Sequence, residues 1–413
     1  MIPFAKILKY GNKLPGLPTI VDVKHSYGSN ITTYILRSNG ELWGGGYNGE
    51  GQLGLGNRND TYRKTCVKLK DGVKLISHYN NLAMIYTEDN TLMIAGFDYR
   101  ISSPTVDTNY RSSWFDISYR FSGIDLTQIK EIGSTRMNAY VLLNNGNMYS
   151  IGFFRVLGGT QTSGGNYTNI PTLCGTDVKS MQCTEEVCTF WKNDGTMWGF
   201  GNNGYARVYV LDVSSPSSTT DASYVNPAVQ MFMTTDTTNM IGWYGGANNT
   251  LVFKSNASST VGCGSPYYGT LGAGYDTSGA TGYLSTSPNM TVQLPQPCAK
   301  LLKVNPNSMQ RVYQGTDGFY YMIGYNPNGE LGIGISKGTG NDYAITQWTK
   351  NTVLPVSNES VRGFSYGYFV SYMFTDTEIY ICGRTQYGIS TQYDSVVSSP
   401  IFLKYDNLPF YGA

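Results

Sequence analysis

The stretch Asn39-Gly-Glu-Leu-Trp-Gly-Gly-Gly-Tyr-Asn-Gly-Glu-Gly-Gln-Leu-Gly-Leu-Gly56 decides how this 413-residue chain is read. Asn39-Gly40 supplies the positive φ that a two-residue hairpin turn demands. A short strand follows and ends in glycines. A loop punctuated by Gly at 49, 51, 54 and 56 comes next. The same grammar returns at Thr316-Asp-Gly-Phe-Tyr-Tyr-Met-Ile-Gly-Tyr-Asn-Pro-Asn-Gly-Glu-Leu-Gly-Ile-Gly334. Partial copies occupy 193–204 and 261–274, and degenerate ones 89–96, 145–152 and 376–383.

One glycine aligns in all seven copies: Gly46, Gly96, Gly152, Gly201, Gly264, Gly324 and Gly383, at intervals of 50, 56, 49, 63, 60 and 59. A period of that size marks stacked supersecondary units rather than independent domains. Each unit holds an apolar β-rich run (Thr33–Leu36, Tyr140–Leu143), an Asn-Gly or Asp-Gly turn (39, 145, 194, 317), a second strand, and a loop of variable length. A further strand then precedes an opening such as Val73-Lys74 or Val178-Lys179. Three or four short antiparallel strands, repeated seven times without helices, describe an all-β, seven-bladed propeller. The blades are expected at about 21–70, 72–127, 129–175, 178–226, 227–297, 299–355 and 360–409. The anchor glycines are expected where strands turn and pack closely near the propeller axis. Ile7-Leu-Lys-Tyr and Phe402-Leu-Lys-Tyr405 echo each other, so residues 1–20 are expected to form an arm or closure strand that completes the ring.

The pattern Asn/Asp-Gly…Leu-Trp-Gly-x-Gly-x-Asn-x-x-Gly-Gln-Leu-Gly-x-Gly resembles the repeat of the regulator of chromosome condensation family. The match is nearly complete at 39–56, and the resemblance spans about residues 18–409. It too implies a seven-bladed propeller. Some members of that family exchange nucleotide on a small GTPase at chromatin. Others inhibit enzymes, sense light or act as interaction platforms. The exchange role implies an acidic, histidine-bearing face and basic contacts to nucleosomes. Two histidines, a net charge of +1 and no basic tail depart from it.

Composition narrows the function classes. Only 14% of residues are charged, against roughly 25% in ordinary soluble proteins. Such a chain is poorly suited to phosphate-backbone binding, and 34 Tyr with 49 Gly do not describe a disordered or helical one. No run of 18 apolar residues occurs, so no membrane-spanning helix is expected. The N-terminus lacks the apolar core of a secretory signal, which points to synthesis in a cytoplasm.

Catalytic patterns are weak. Gly44-x-Gly46-x-x-Gly49 matches a dinucleotide loop, but no helix follows it. Seven cysteines are an odd count; five fall at repeat positions, and the Cys183/Cys188 pair has no second pair at metal-ligand spacing. His25 and His78 occupy one repeat position, and no nucleophile triad can be assembled. The chain is therefore expected to be no enzyme, with no cofactor and no metal.

The remaining signal is aromatic. Trp43 and Trp198 fall at one repeat position and are expected in the core. Trp114, Trp243 and Trp348 fall in unit-specific stretches at about 99–123, 214–247 and 336–352, with Tyr244 beside Trp243. Tyr267, Tyr268, Tyr275 and Tyr283 belong to a further insertion at 265–290. Such insertions become loops, often on a binding face, and aromatics offer rigid contact area. These eight residues are the expected binding positions, the alternative being that they pack loops onto the rim.

Low charge with abundant Gly, Tyr, Asn, Ser and Thr is similar to bacteriophage tail and other virion proteins. The expectation is a structural or binding component of a virion, assembled in a host cytoplasm. It would bind a host-surface glycan or protein, or dock neighbouring virion proteins. A cytoplasmic regulatory or inhibitory propeller that binds one partner protein is the alternative.

Overall fold

The computed structural model describes residues 17–410 apart from short stretches, of which the longest are 159–166, 209–223, 275–289 and 390–397. The described strands, β1 to β28 in chain order, form seven four-stranded antiparallel sheets, each from four consecutive strands. The first strands are β1 (Ile20–His25), β5 (Val73–Tyr79), β9 (Ile129–Ser134), β13 (Val178–Cys183), β17 (Met240–Gly245), β21 (Cys298–Lys300) and β25 (Gly363–Tyr366). Neighbouring first strands touch in the order β25, β1, β5, β9, β13, β17. They form the inner wall of a seven-bladed propeller around a central channel.

The core is divided by blade interface. Seven apolar clusters occur among the described residues, and each draws on two adjacent blades. Second strands are buried on both faces, because each face meets a neighbouring blade: Thr32–Arg37 and Leu82–Thr87 are buried at every position. Polar groups tie the seams as well. Ser77 and Ser134 hydroxyls meet at 2.9 Å between blades 2 and 3. The Ser180 hydroxyl and Met181 amide donate to the Glu131 carboxylate between blades 3 and 4. Gln182 donates to the Trp243 carbonyl and accepts from the Gly245 amide between blades 4 and 5.

The anchor glycines lie away from the axis, which corrects the expectation. They sit in the third strands, such as β3 (Leu42–Tyr47) and β23 (Tyr320–Tyr325), beside a register shift against the outer strand. Backbone conformation makes them glycine: φ runs from +83° at Gly383 to +122° at Gly152. At Gly324 a β-carbon would also collide with the Met309 carbonyl oxygen, which accepts the Tyr325 amide at 3.1 Å. The same bond recurs from Tyr47 to Ile31 at 2.7 Å and from Phe97 to Asn81 at 2.8 Å.

Blades 1 and 7 are each complete from consecutive strands, with β28 (Ser399–Lys404) as the outer strand of blade 7. No described strand is exchanged between the two termini; residues 1–16, the bulk of the expected closure arm, lie outside the described residues. Packing closes the ring. The Ile20 amide donates to the Asp376 carbonyl at 2.8 Å, and Leu408 joins a cluster with Val23 and Ile35. Phe410 lies against Trp43 at 5.2 Å, with the Arg37 guanidinium 4.4 Å from its ring centre.

Candidate functional site

The long third-to-fourth-strand loops emerge beside the anchor glycines and define one face of the disc. Their described parts are held by internal hydrogen bonds. In blade 1 the Asn48 side-chain oxygen accepts the Leu53 amide at 3.0 Å, and in blade 6 Asn326 accepts the Leu331 amide at 2.8 Å. Three of the loops dock on the next blade: Gly56 N donates to Ser112 O, Gly274 N to Thr346 O and Gly334 N to Pro400 O, at 2.7–3.0 Å.

That docking explains two of the expected binding tryptophans. Trp114 belongs to the fourth strand β8 (Asn109–Asp116) and Trp348 to the fourth strand β24 (Ala344–Lys350). Neither lies in a loop. Trp114 covers Gly54 of the preceding blade's loop and Trp348 covers Gly272; Phe402 covers Gly332 in the same way. A β-carbon at any of these glycines would strike the ring. Trp348 is 7% exposed. These rings are clamps at one repeat position.

Trp243 and Tyr244 are likewise strand residues, in β17, exposed by 3% and 2%. The Trp243 indole donates to Thr189 at 2.9 Å, and the Tyr244 hydroxyl donates to the Leu302 and Val312 carbonyls across the blade 5–6 seam. Buried and hydrogen-bonded, they offer no ring to the loop face. Trp43 and Trp198, expected in the core, are only half-buried. Tyr275, Tyr283 and the Tyr267 side chain lie outside the described residues.

Tyr268 is different. It meets Tyr325 edge-on, with centroids 4.7 Å apart. Tyr325 stacks on Tyr368 at 4.7 Å and 17°, and Tyr368 meets Phe369 at 4.7 Å. Three blades thus contribute to one aromatic array on the loop face. Tyr268, Tyr368 and Phe369 are half-buried, and Tyr343 flanks them at 6.4 Å from Tyr325. Tyr325 and Tyr368 follow, respectively, the anchor glycine of blade 6 and the first strand of blade 7, and neither stood out in the sequence.

Charge borders the array. The Arg384 guanidinium lies 5.1 Å from the Phe369 ring centre and donates to the Asn328 side chain at 2.9 Å. Asn328 donates its backbone and side-chain N–H groups to the Glu330 carboxylate, at 2.9 and 2.6 Å. Glu330 stands where the first repeat has Gln52, and it is fully buried. Burial pushes its carboxyl up to about 7, against the pull of Asn328 and Arg384.

A further concave feature is the central channel, a cavity of about 580 Å³ lined by the first strands of five blades and by Leu301, Leu302 and Val304 just past β21. Apolar Leu75, Ile132 and Ile241 alternate there with Ser77, Ser180 and Gln182. His78 lines it, and His25 packs at the equivalent place on the blade 7–1 seam. Burial holds both imidazoles neutral, at about 3. All seven cysteines are buried free thiols. Among the described residues, no group of three or more His, Cys, Asp or Glu is placed to hold a metal ion, and no helix is long and apolar enough to cross a membrane.

No family model and no curated protein matches the chain. Solved structures do. Yeast RCC1 (Prp20), in its crystal structure with Kap60, is 14% identical, with a TM-score of 0.67 over 94% of this chain and 86% of that one. Human WBSCR16 is 17% identical, with a TM-score of 0.65 over 87% of each chain. Prp20p from Saccharomyces cerevisiae, in a second structure, is 13% identical with a TM-score of 0.59 over 82% of this chain and 79% of that one. At such identities the likeness concerns the fold, and the fold is the seven-bladed propeller of RCC1.

Proposed function

We propose that the chain is a non-enzymatic binding propeller whose loop face captures a receptor through the Tyr268–Tyr325–Tyr368–Phe369 array. That array is the observation that carries the reading. Ring faces at fixed angles give large contact area at little entropic cost. Arg384 and Asn328, the latter held by the buried Glu330, add directional polar contacts at its border. A sugar ring, apolar on one face and hydroxylated at its edge, fits such a surface. The composition supports a setting in a virion tail or fibre, with the propeller displayed to a host-surface glycan. The chemistry of low charge, Gly and Tyr suits a rigid display disc, and free buried thiols suit assembly in a reducing cytoplasm.

A regulatory propeller that binds one protein is the second reading. It is supported by the fold neighbour whose structures describe binding to Gsp1p, histones and Kap60. The two readings separate in one experiment. The protein and its Tyr268→Ala and Tyr368→Ala variants are applied to a glycan array and to intact cells of the source's host. Glycan binding lost in both variants, with unchanged thermal midpoints, supports the receptor reading. Wild-type protein silent on glycans and cells, sedimenting with one protein partner from native material, supports the regulatory one.

A further inference from the structure

Cys183 ends β13 and Cys188 lies in β14 (Val187–Lys192); the two stand directly opposite each other across the antiparallel pair. The Thr184 amide donates to the Val187 carbonyl at 2.8 Å. Positions 184 and 187 are therefore the hydrogen-bonded pair, and 183 and 188 form the adjoining non-hydrogen-bonded one. In such pairs the α-carbons approach to about 4.5 Å, inside the span that a disulfide bridges. The two sulfurs already touch, 3.0 Å apart.

Access is asymmetric. Cys188 is fully enclosed among Tyr140, Phe190 and Phe200. Cys183 is 8% exposed and lines the central channel. The third thiol of this cluster, Cys174, points elsewhere and donates to the Met148 carbonyl at 3.2 Å. A reagent small enough to enter the channel meets Cys183 first and finds Cys188 directly behind it.

We propose that Cys183 and Cys188 form an oxidation site, converted by a small hydroperoxide entering the channel into a cross-strand disulfide. This goes beyond the receptor reading and does not depend on it. In the first step the Cys183 sulfur attacks the peroxide, its S–H proton is lost, and the O–O bond breaks. One oxygen stays on Cys183 as a sulfenic acid, and with hydrogen peroxide the other leaves as water. In the second step the Cys188 sulfur attacks the Cys183 sulfur. The S–S bond forms, the S–O bond breaks, and the departing hydroxide takes the Cys188 proton to give a second water. Two thiols and one peroxide become one disulfide and two waters. Burial raises the Cys188 thiol well above its ordinary range, which slows its attack, and the 3.0 Å contact between the sulfurs is what fits it to the resolving role. The sulfurs need to close by about 1 Å to reach bonding distance, a movement within reach of small side-chain rotations in a pair already opposed. The closed loop is short, so the bridge constrains the unfolded chain little. Its effect is to cap the channel-facing thiol and protect it from further oxidation.

The test is titration of the native, full-length protein with hydrogen peroxide, read by intact mass and by peptide mapping without reduction. The expected result is a species about 2 Da lighter, with Cys183 linked to Cys188, the loss of two of the seven free thiols, and full reversal by dithiothreitol. Cys174→Ala retains the product, and Cys183→Ala or Cys188→Ala abolishes it. Either of two results would overturn the proposal. One is a native protein that gains oxygen on Cys183 without forming the link. The other is a link that appears only after denaturation or that includes Cys174. The wild-type mass readout stands whether or not the alanine variants fold.

Discussion

Glu330 sits in a glutamine's place, and the substitution Glu330→Gln tests how the loop of blade 6 is held. In blade 1 the Gln52 side-chain oxygen accepts the Glu50 amide at 3.2 Å; in blade 6 Glu330 accepts the Asn328 amide at 2.9 Å. The glutamate is fully buried, and its carboxyl is pushed from 4.5 up to about 7. A carboxyl raised on folding binds its proton more tightly in the folded state. Its stability contribution is therefore intact below pH 4.5 and is lost as pH rises to about 7. At about 1.4 kcal/mol per pH unit, the distance from 4.5 to about 7 makes the charged form cost about 3 kcal/mol.

Glutamine removes that cost but brings one of its own. Its amide nitrogen would face the Asn328 side-chain N–H that Glu330 now accepts at 2.6 Å. Asn328 cannot simply turn over, because its oxygen holds Arg384 at 2.9 Å. The lost bond costs about 1 kcal/mol. Glu330→Gln is thus expected to destabilise by about 1 kcal/mol at pH 4 and to stabilise by about 2 kcal/mol at pH 8, with the sign changing at about pH 5. Chemical unfolding midpoints of both proteins, measured across that range, give the difference directly, since every other titrating group is shared. Parallel profiles, or a variant weaker at pH 8, would refute the account of Glu330 as a buried carboxylate under strain from its own charge.

Three further outcomes are expected. Gly324→Ala, at φ +115° and against the Met309 carbonyl, loses about 3 kcal/mol or more. Gly318→Ala, at φ +80° with open space around it, loses only about 1–2 kcal/mol; equal losses in thermal unfolding would show that the carbonyl contact is irrelevant. Trp348→Ala costs about 3–5 kcal/mol by emptying the clamp over Gly272, so its thermal midpoint falls while binding below that midpoint is unchanged; a variant of wild-type stability that fails to bind would return Trp348 to the binding surface. Phe410→Ala removes the ring between Trp43 and Arg37 and weakens closure by about 1–2 kcal/mol, seen as faster limited proteolysis; an unchanged cleavage rate would mean that the C-terminal segment does not fasten blade 7 to blade 1.

What could be read from the sequence, and what could not, follows from how far each constraint reaches along the chain. Gly46 and its six counterparts were visible because a positive φ is a demand of one residue's own backbone, repeated at every blade. Asn39-Gly40 and Asp317-Gly318 were visible because a hairpin turn is contained in two residues. The sequence alone puts Trp114 and Trp348 in insertions because the loops before them vary in length and hide the start of the fourth strand. What fixes these rings is a glycine of the preceding blade, Gly54 for Trp114 and Gly272 for Trp348. No local period records that pairing. The array is further still from local reading. Tyr268, Tyr325 and Tyr368 belong to three different blades, and only the curvature of the ring brings them within 5 Å of one another in succession.

The same distinction separates scaffold from site. Where a residue repeats its role in several blades, its neighbours are set by the blade and its substitution is a stability event: Trp348 with Phe402, and His25 with His78. Blades 6 and 7 break that regularity. Glu330 replaces the repeat's glutamine at an energetic cost, and Arg384 takes the position after the anchor glycine that Tyr47, Phe97, Phe153 and Tyr325 fill elsewhere. Asn328 ties these two departures together, and they lie beside the half-buried rings of Tyr368 and Phe369. A sequence held only to the fold has no reason to place a costly carboxylate where blade 1 has Gln52, or an arginine where four other blades have an aromatic ring. Local departures from a repeat that weaken stability and cluster on one face are what selection for a ligand leaves behind, and here that cluster adjoins the aromatic array.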